Sequence, residues 1–235
     1  MNTTVNQAEI EKFTSIADQW WNEKGSFKPL HKFNPIRIGY IRDELTKHFG
    51  EIKNLKILDI GCGGGLLTEP LFKLGINMTG IDAGEKNIEA AKIHAEKSGL
   101  NIDYRHIDVE ELASSEEKFD AVLAMEIIEH VADVELFIKA VSQCLKPGGL
   151  LFVATLNRTA KSYLKAIIGA EYVLRWLPRG THDWKSFLKP SEVYKIASQH
   201  NLSLEKSNGF EYNILKDDWK ISDDLDVNYV MIFKK

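Results

Sequence analysis

Four glycines, Gly61, Gly63, Gly64 and Gly65, close the run LDIGCGGG that begins at Leu58. Glycine where a strand passes into a helix lets the backbone turn sharply and approach a ligand, and the helix start presents free N–H groups. Asp82 lies 21 residues beyond Gly61, at the end of the next apolar run. A carboxylate there can accept both ribose hydroxyl hydrogens of a nucleoside lying across the strand ends. A tight turn plus a helix-capping acid is the plainer reading. The coincidence of both features at this spacing favours the nucleoside.

Two kinds of nucleoside cofactor use such a loop. The nicotinamide fingerprint G-x-G-x-x-G requires a third glycine where this chain has Leu66. Asp59, two residues before Gly61, would repel a pyrophosphate and favour a cation such as the sulfonium and ammonium of S-adenosylmethionine. A second group of reactive side chains stands in MEIIEHV, where Glu126, Glu129 and His130 are spaced i, i+3 and i+4. On a helical turn the three share one side. The same spacing also suits two acids in the first turn of a helix, favoured by its dipole, with the histidine packed against it.

The elements that must position these groups alternate along the chain. KILDI (Lys56 to Ile60), MTGID (Met78 to Asp82), IDYRHI (Ile102 to Ile107), FDAVLAM (Phe119 to Met125) and LLFVATL (Leu150 to Leu156) read as strands. Leu66 to Leu74, Glu85 to Ser98 and Val134 to Leu145 read as helices between them. Such alternation predicts an α/β domain, a doubly wound, Rossmann-like parallel sheet covered on both faces. Lys146 to Gly149 (KPGG) marks a stop before the fifth strand. Before this core comes a cap of 50 residues with a polar helix carrying Trp20 and Trp21. After it come a helical insertion over residues 157–190, a helix from Pro190 to about His200, and closing strands at Leu202 to Lys206 and Asp226 to Phe233. The expected division of one domain is therefore 1–50, 51–156, 157–190 and 191–235.

The 235 residues carry a net charge of −4 and are 44% apolar, which is ample for a buried core and argues against a nucleic-acid partner. The two cysteines, Cys62 and Cys144, form no Cys-x-x-Cys pair, so neither a disulfide framework nor a thiolate zinc site is expected. No apolar run approaches the length of a membrane span, and the polar start has no leader character.

The glycine loop, Asp82, FDAVLAMEIIEHV and KPGG resemble the class I S-adenosylmethionine-dependent methyltransferases. Beyond the class, KPLHKFNPIRIGYI, TLNRTAKSY, GAEYVLRWLPRGTHDW and DVNYVMI resemble the ubiquinone-biosynthesis O-methyltransferase family, from about Phe13 to the C-terminus. The resemblance places donor contacts on Arg37, Gly61, Asp82 and Met125, beside Gly63 of the same loop. A guanidinium at Arg37 suits the methionine carboxylate, and Met125 suits the adenine or the sulfonium. Asp108 and Val109 are weaker adenine candidates. The implied acceptor is a ring hydroxyl of a polyprenylated phenol or quinol. A phenol is mostly protonated at neutral pH, so a base or a metal must help. Glu126, Glu129 and His130 are the catalytic candidates, and in some relatives they hold a divalent cation, magnesium. Oxygen-rich magnesium sites seldom use histidine, which weighs against that part. His182 and Asp183 form a second base pair or a turn.

The segment Arg158 to Pro190 holds seven basic residues, Arg158, Lys161, Lys165, Arg175, Arg179, Lys185 and Lys189, against Glu171 and Asp183, a balance of +5 within the chain's −4. With Tyr163, Leu164, Ile167 and Ile168 at helical spacing, it is expected either to lie on an anionic membrane or to act as a lid over the acceptor. The expected location is cytoplasmic, reversibly attached to the inner membrane face, with a quinone-biosynthesis complex as a further partner. Two other functions stay open: a methyltransferase acting on another phenol or small metabolite, and a non-catalytic S-adenosylmethionine-binding organiser of a biosynthetic complex.

Overall fold

The computed structural model describes residues 3–164, 183–213 and 216–235. Five parallel strands form the centre: β1 (Lys56–Ile60), β2 (Asn77–Asp82), β3 (Asp103–His106), β4 (Phe119–Met125) and β5 (Leu145–Leu156). Three more, β6 (Ser203–Asn213), β7 (Asp218–Ser222) and β8 (Asn228–Lys234), complete an eight-stranded sheet in the order β3-β2-β1-β4-β5-β8-β6-β7. The strand order reverses between β1 and β4, and ligands of such sheets bind at that switch point, outside the carboxyl ends of the strands. The expected doubly wound sheet is present.

The sheet is sandwiched because its central strands are apolar on both faces. On one side α2 (Lys28–Phe49) and α3 (Thr68–Phe72) bring Tyr40, Ile41, Leu45 and Leu71 against Ile57, Leu123 and Phe152. On the other, α5 (Val109–Ser114), α6 (Val134–Cys144) and α8 (Pro190–Gln199) bring Leu112, Phe137, Val141 and Val193 against Leu58, Val122 and Val153. α4 (Glu85–Lys97) packs Ile88, Ala91 and Ala95 on Tyr104 of β3. Asp108 and Asp133 cap α5 and α6, accepting hydrogen bonds from the N–H groups of Glu111 and Leu136 at 2.8 and 2.9 Å. Cys62 and Cys144 are buried free thiols.

Some expected boundaries differ. β5 begins at Leu145, so the KPGG turn falls inside it, where its pairing with β4 shifts between Phe119 and Ala121. The polar helix of the cap, α1 (Gln7–Thr14), ends before the tryptophans, which follow a short 3₁₀ turn at Ala17–Gln19. β6 runs seven residues past the expected Lys206 and turns back through β7, a strand the sequence reading lacks. Of the expected insertion helix, α7 (Ala160–Ser162) is described; Lys165, Glu171, Arg175, Arg179 and His182, with Ile167 and Ile168, lie outside the described residues.

The candidate active site

The carboxyl ends of β1, β2 and β4 open into a cavity of about 900 Å³. Gly61 and Gly63 have φ of 68° and 54°, the left-handed region that favours glycine. A Cβ on Gly61 would come within 2.7 Å of the Ile127 side chain, and one on Gly63 within 2.4 Å of the Trp20 indole. These positions therefore require glycine for space as well as for conformation. Asp82 ends β2, where its carboxylate accepts from Gly63 N–H at 3.0 Å, Gly84 N–H at 2.7 Å and Asn87 Nδ2 at 3.0 Å. Burial pushes its pKa up, against the lowering by these bonds.

Asn87 also accepts a hydrogen bond, 3.0 Å, from the indole Nε1 of Trp20, which is 7% exposed and stacked on Phe27 at 3.7 Å between centroids. Trp21 donates to the Gly64 carbonyl at 2.8 Å and stacks on His94 at 3.4 Å. The two tryptophans thus brace the glycine loop from the N-terminal cap, a role the sequence reading missed. Trp20→Phe keeps the stacking and deletes the bond that orients Asn87 on Asp82. It is expected to weaken S-adenosylmethionine binding about 3- to 10-fold, one neutral hydrogen bond's worth, as read by titration calorimetry; unchanged affinity would show that Asp82 needs no such support.

Arg37, on α2, is 4% exposed at the cavity wall. Its Nη2 donates to Asn34 Oδ1 at 2.5 Å, and Asn34 Nδ2 donates to the Leu66 carbonyl at 2.5 Å, tying α2 to the end of the glycine loop. Its Nε is buried without a partner. Desolvation lowers its pKa, while the charges of Glu126 and Asp59 raise it. An unsatisfied guanidinium N–H beside a cavity is a carboxylate receptor in waiting. Asp59, buried and hydrogen-bonded by Thr68 Oγ1 at 2.6 Å, is raised to about 6, mainly by burial, and Asp82 faces the same cavity. The acids outweigh the single arginine around the loop, which suits a ligand with a sulfonium and an ammonium. The residues present therefore fit S-adenosylmethionine. Met125, 6% exposed at the end of β4, lies on the cavity wall with Asp108.

The acid and histidine cluster departs from expectation. Glu126 is not on a helix: it has φ of 61°, held by its N–H donating to the Ala154 carbonyl at 2.9 Å, and only Ile128–His130 form a short 3₁₀ turn. The i, i+3, i+4 alignment fails because the chain leaves β4 through a left-handed residue. His130 turns to α1, its Nδ1 donating to Glu9 Oε2 at 2.7 Å with its ring edge-on to Phe13. Glu9 is correspondingly lowered by His130. Among the described residues no three His, Cys, Asp or Glu side chains group to hold a metal ion. The expected three-ligand magnesium site does not fit this arrangement, and no step below passes through a metal. Glu129, buried, and Glu126, half-buried, both face the cavity, with Glu126 Oε1 and Glu129 Oε2 buried and unpartnered. Burial first, then the neighbouring Glu129 charge, pushes Glu126 up to about 8; burial also raises Glu129. Asp183 caps a 3₁₀ turn, accepting from Lys185 N–H at 3.0 Å, while His182, its expected partner, lies outside the described residues.

Sheet order, glycine loop and strand-end acid define the class of a class I S-adenosylmethionine-dependent methyltransferase, and residues 58–153 match the family model described as a methyltransferase domain. Magnesium protoporphyrin IX methyltransferase from Synechocystis, solved with S-adenosylmethionine bound, superposes with a TM-score of 0.65 at 14% identity, over the whole of both chains. The relatives are more specific: the ubiquinone biosynthesis O-methyltransferases of Pelagibacter ubique (53% identical, 99% of each chain) and Bartonella bacilliformis (55% identical, 99% of this chain and 97% of that one). The chain belongs to the ubiquinone biosynthesis O-methyltransferase family, whose methyl donor is S-adenosylmethionine.

Proposed function

We propose that this chain methylates ring hydroxyls of polyprenylated phenols, both 2-polyprenyl-6-hydroxyphenol and 3-demethylubiquinol. The observation that carries the reading is one cavity joining the glycine loop and Asp82 to the buried Glu126 carboxyl and to an apolar, aromatic-rich end. Bound S-adenosylmethionine supplies an electrophilic methyl group on a sulfonium. Arg37 grips its carboxylate, Asp82 its ribose hydroxyls, and Met125 packs beside it. Glu126 takes the phenolic proton as the oxygen bonds to the methyl carbon and the carbon–sulfur bond breaks, leaving S-adenosylhomocysteine. Most of the acceleration comes from holding oxygen, methyl and sulfur in line; the proton acceptor adds to it.

Transfer of labelled methyl to the two acceptors, assayed with and without a chelator, tests this. Label is expected in both. Turnover confined to unprenylated phenols would favour the small-metabolite reading, and donor binding without turnover on any acceptor would favour the non-catalytic organiser. Turnover unaffected by the chelator is expected, since Glu126, Glu129 and His130 do not come together as three ligands among the described residues; loss of turnover restored by magnesium would overturn this.

Reversible contact with an anionic membrane at the inner face, and membership of a quinone-biosynthesis complex, belong to the same proposal. Tyr163 and Leu164 are exposed apolar residues at the start of the basic segment. Arg158 is paired with Glu192, however, and Lys161 with Asp224 and Asp226, so these cations are partly neutralised within the chain. Among the described residues no helix is long and apolar enough to cross a membrane. Co-flotation with anionic but not neutral liposomes is expected; protein remaining at the bottom with both overturns the membrane contact.

A further inference from the structure

Part of the cavity lining lies away from the glycine loop, Asp82 and Glu126. β8 begins at Asn228, paired with Leu156 at the end of β5, and β6 passes that level: Gly209 pairs with Tyr229, and Phe210 donates its N–H to the Asn228 side chain at 3.2 Å. The hairpin of β6 and β7 therefore extends beyond the carboxyl edge of the sheet, on the side of the acceptor. Tyr212 pairs with Trp219 and Phe210 lies two residues away, so the three share one face. Against this face packs the first part of α2. Phe33 meets Phe210 at 5.1 Å and Trp219 at 4.4 Å between ring centroids.

Leu30, Phe33 and Arg37 are spaced along one side of α2. The Arg37 guanidinium lies 5.1 Å from the Phe33 ring, so this ring stands where the charged centre gives way to an apolar wall. Leu30, Phe33, Phe210, Tyr212, Trp219 and Val227 all line the cavity.

We infer that the apolar end of the cavity, at the start of α2 and the β6–β7 hairpin, is the binding site for the isoprenoid tail of the acceptor, with the mutually packed Phe33, Phe210 and Trp219 rings together forming one wall. The inference rests on the proposed polyprenylated acceptor. A branched, unsaturated hydrocarbon with no hydrogen-bonding groups suits a wall of aromatic faces and aliphatic side chains. Its continuity with the Glu126 pocket places the attached ring at the reacting centre.

The experiment compares catechol with farnesyl catechol as methyl acceptors for the full chain. Wild type is expected to favour the farnesyl compound in kcat/KM. Trp219→Ala, which removes part of the wall, and Leu30→Trp, which narrows that end of the cavity, are each expected to cut that preference about tenfold or more, chiefly through KM. A preference unchanged within twofold in both variants overturns the inference, as does a wild type that treats the two acceptors alike while turning both over. Lack of turnover on either acceptor overturns the proposed function as well. Leu30→Trp adds volume where Trp219→Ala removes it, so misfolding of one variant leaves the other to decide.

Discussion

Glu126→Gln is expected to lower kcat about 10²- to 10⁴-fold, the range of a positioned proton acceptor, with little change in the affinity for S-adenosylmethionine. The amide keeps the size of the side chain and removes its capacity to hold the phenolic proton. With the carboxyl pushed up to about 8, the basic form appears only as pH rises, so wild-type kcat should climb with pH and level off above about 8. That limb should vanish from the residual rate of the variant. Stability follows the opposite course. An acid whose pKa is higher folded than unfolded binds more protons in the native state, so the stability it supports is present at low pH. That support is lost progressively between the ordinary carboxyl range and about 8. Glu126→Gln should therefore melt higher than wild type at pH 8 and nearly equal to it at pH 4. A variant that loses turnover but melts lower at pH 8 would contradict the buried, repelled carboxylate described above.

Asp82→Asn is the second large effect. The carboxylate accepts from two backbone N–H groups and Asn87, and in the proposed complex it holds two ribose hydroxyls in addition. The amide can reproduce only part of this, since its Nδ2 faces donors where the carboxylate presents an acceptor. Hydrogen bonds to a charged group are worth about 1.5–3 kcal/mol each, so loss of one or two should weaken the donor about 10²- to 10³-fold. The loss should appear in the donor's Kd and KM more than in kcat at saturating donor. A normal donor affinity would move the nucleoside elsewhere in the cavity.

The sequence carried the sheet and the donor loop because both are local. β1 to β4 lie close to the expected runs, and Gly61, Gly63 and Asp82 sit at strand ends that alternation alone locates. What it concealed depends on contacts between distant residues. Trp20 and Asn87 are 67 positions apart, and nothing in the polar neighbourhood of either signals the bond between them. The acids and histidine after β4 misled because a helical spacing is also compatible with a left-handed turn, and the partner that claims His130, Glu9, lies 121 residues away. β7 was hidden because it is short and none of its five residues is fully buried: DWKIS alternates, but it lacks the continuous apolar run of the inner strands.

One helix, α2, carries both Arg37, proposed at the donor's carboxylate, and, one turn earlier, Phe33, inferred at the tail's wall. Pro35 interrupts the hydrogen-bond ladder between the two positions, but they are four residues apart on one helix, so a shift at one is expected to reach the other. If both sites are as proposed, donor and prenyl tail are expected to be thermodynamically linked, and by whatever factor the first changes the affinity for the second, the second must change the affinity for the first equally. On this reading the methyl group and the hydrocarbon that marks its destination would be sensed through the same lever.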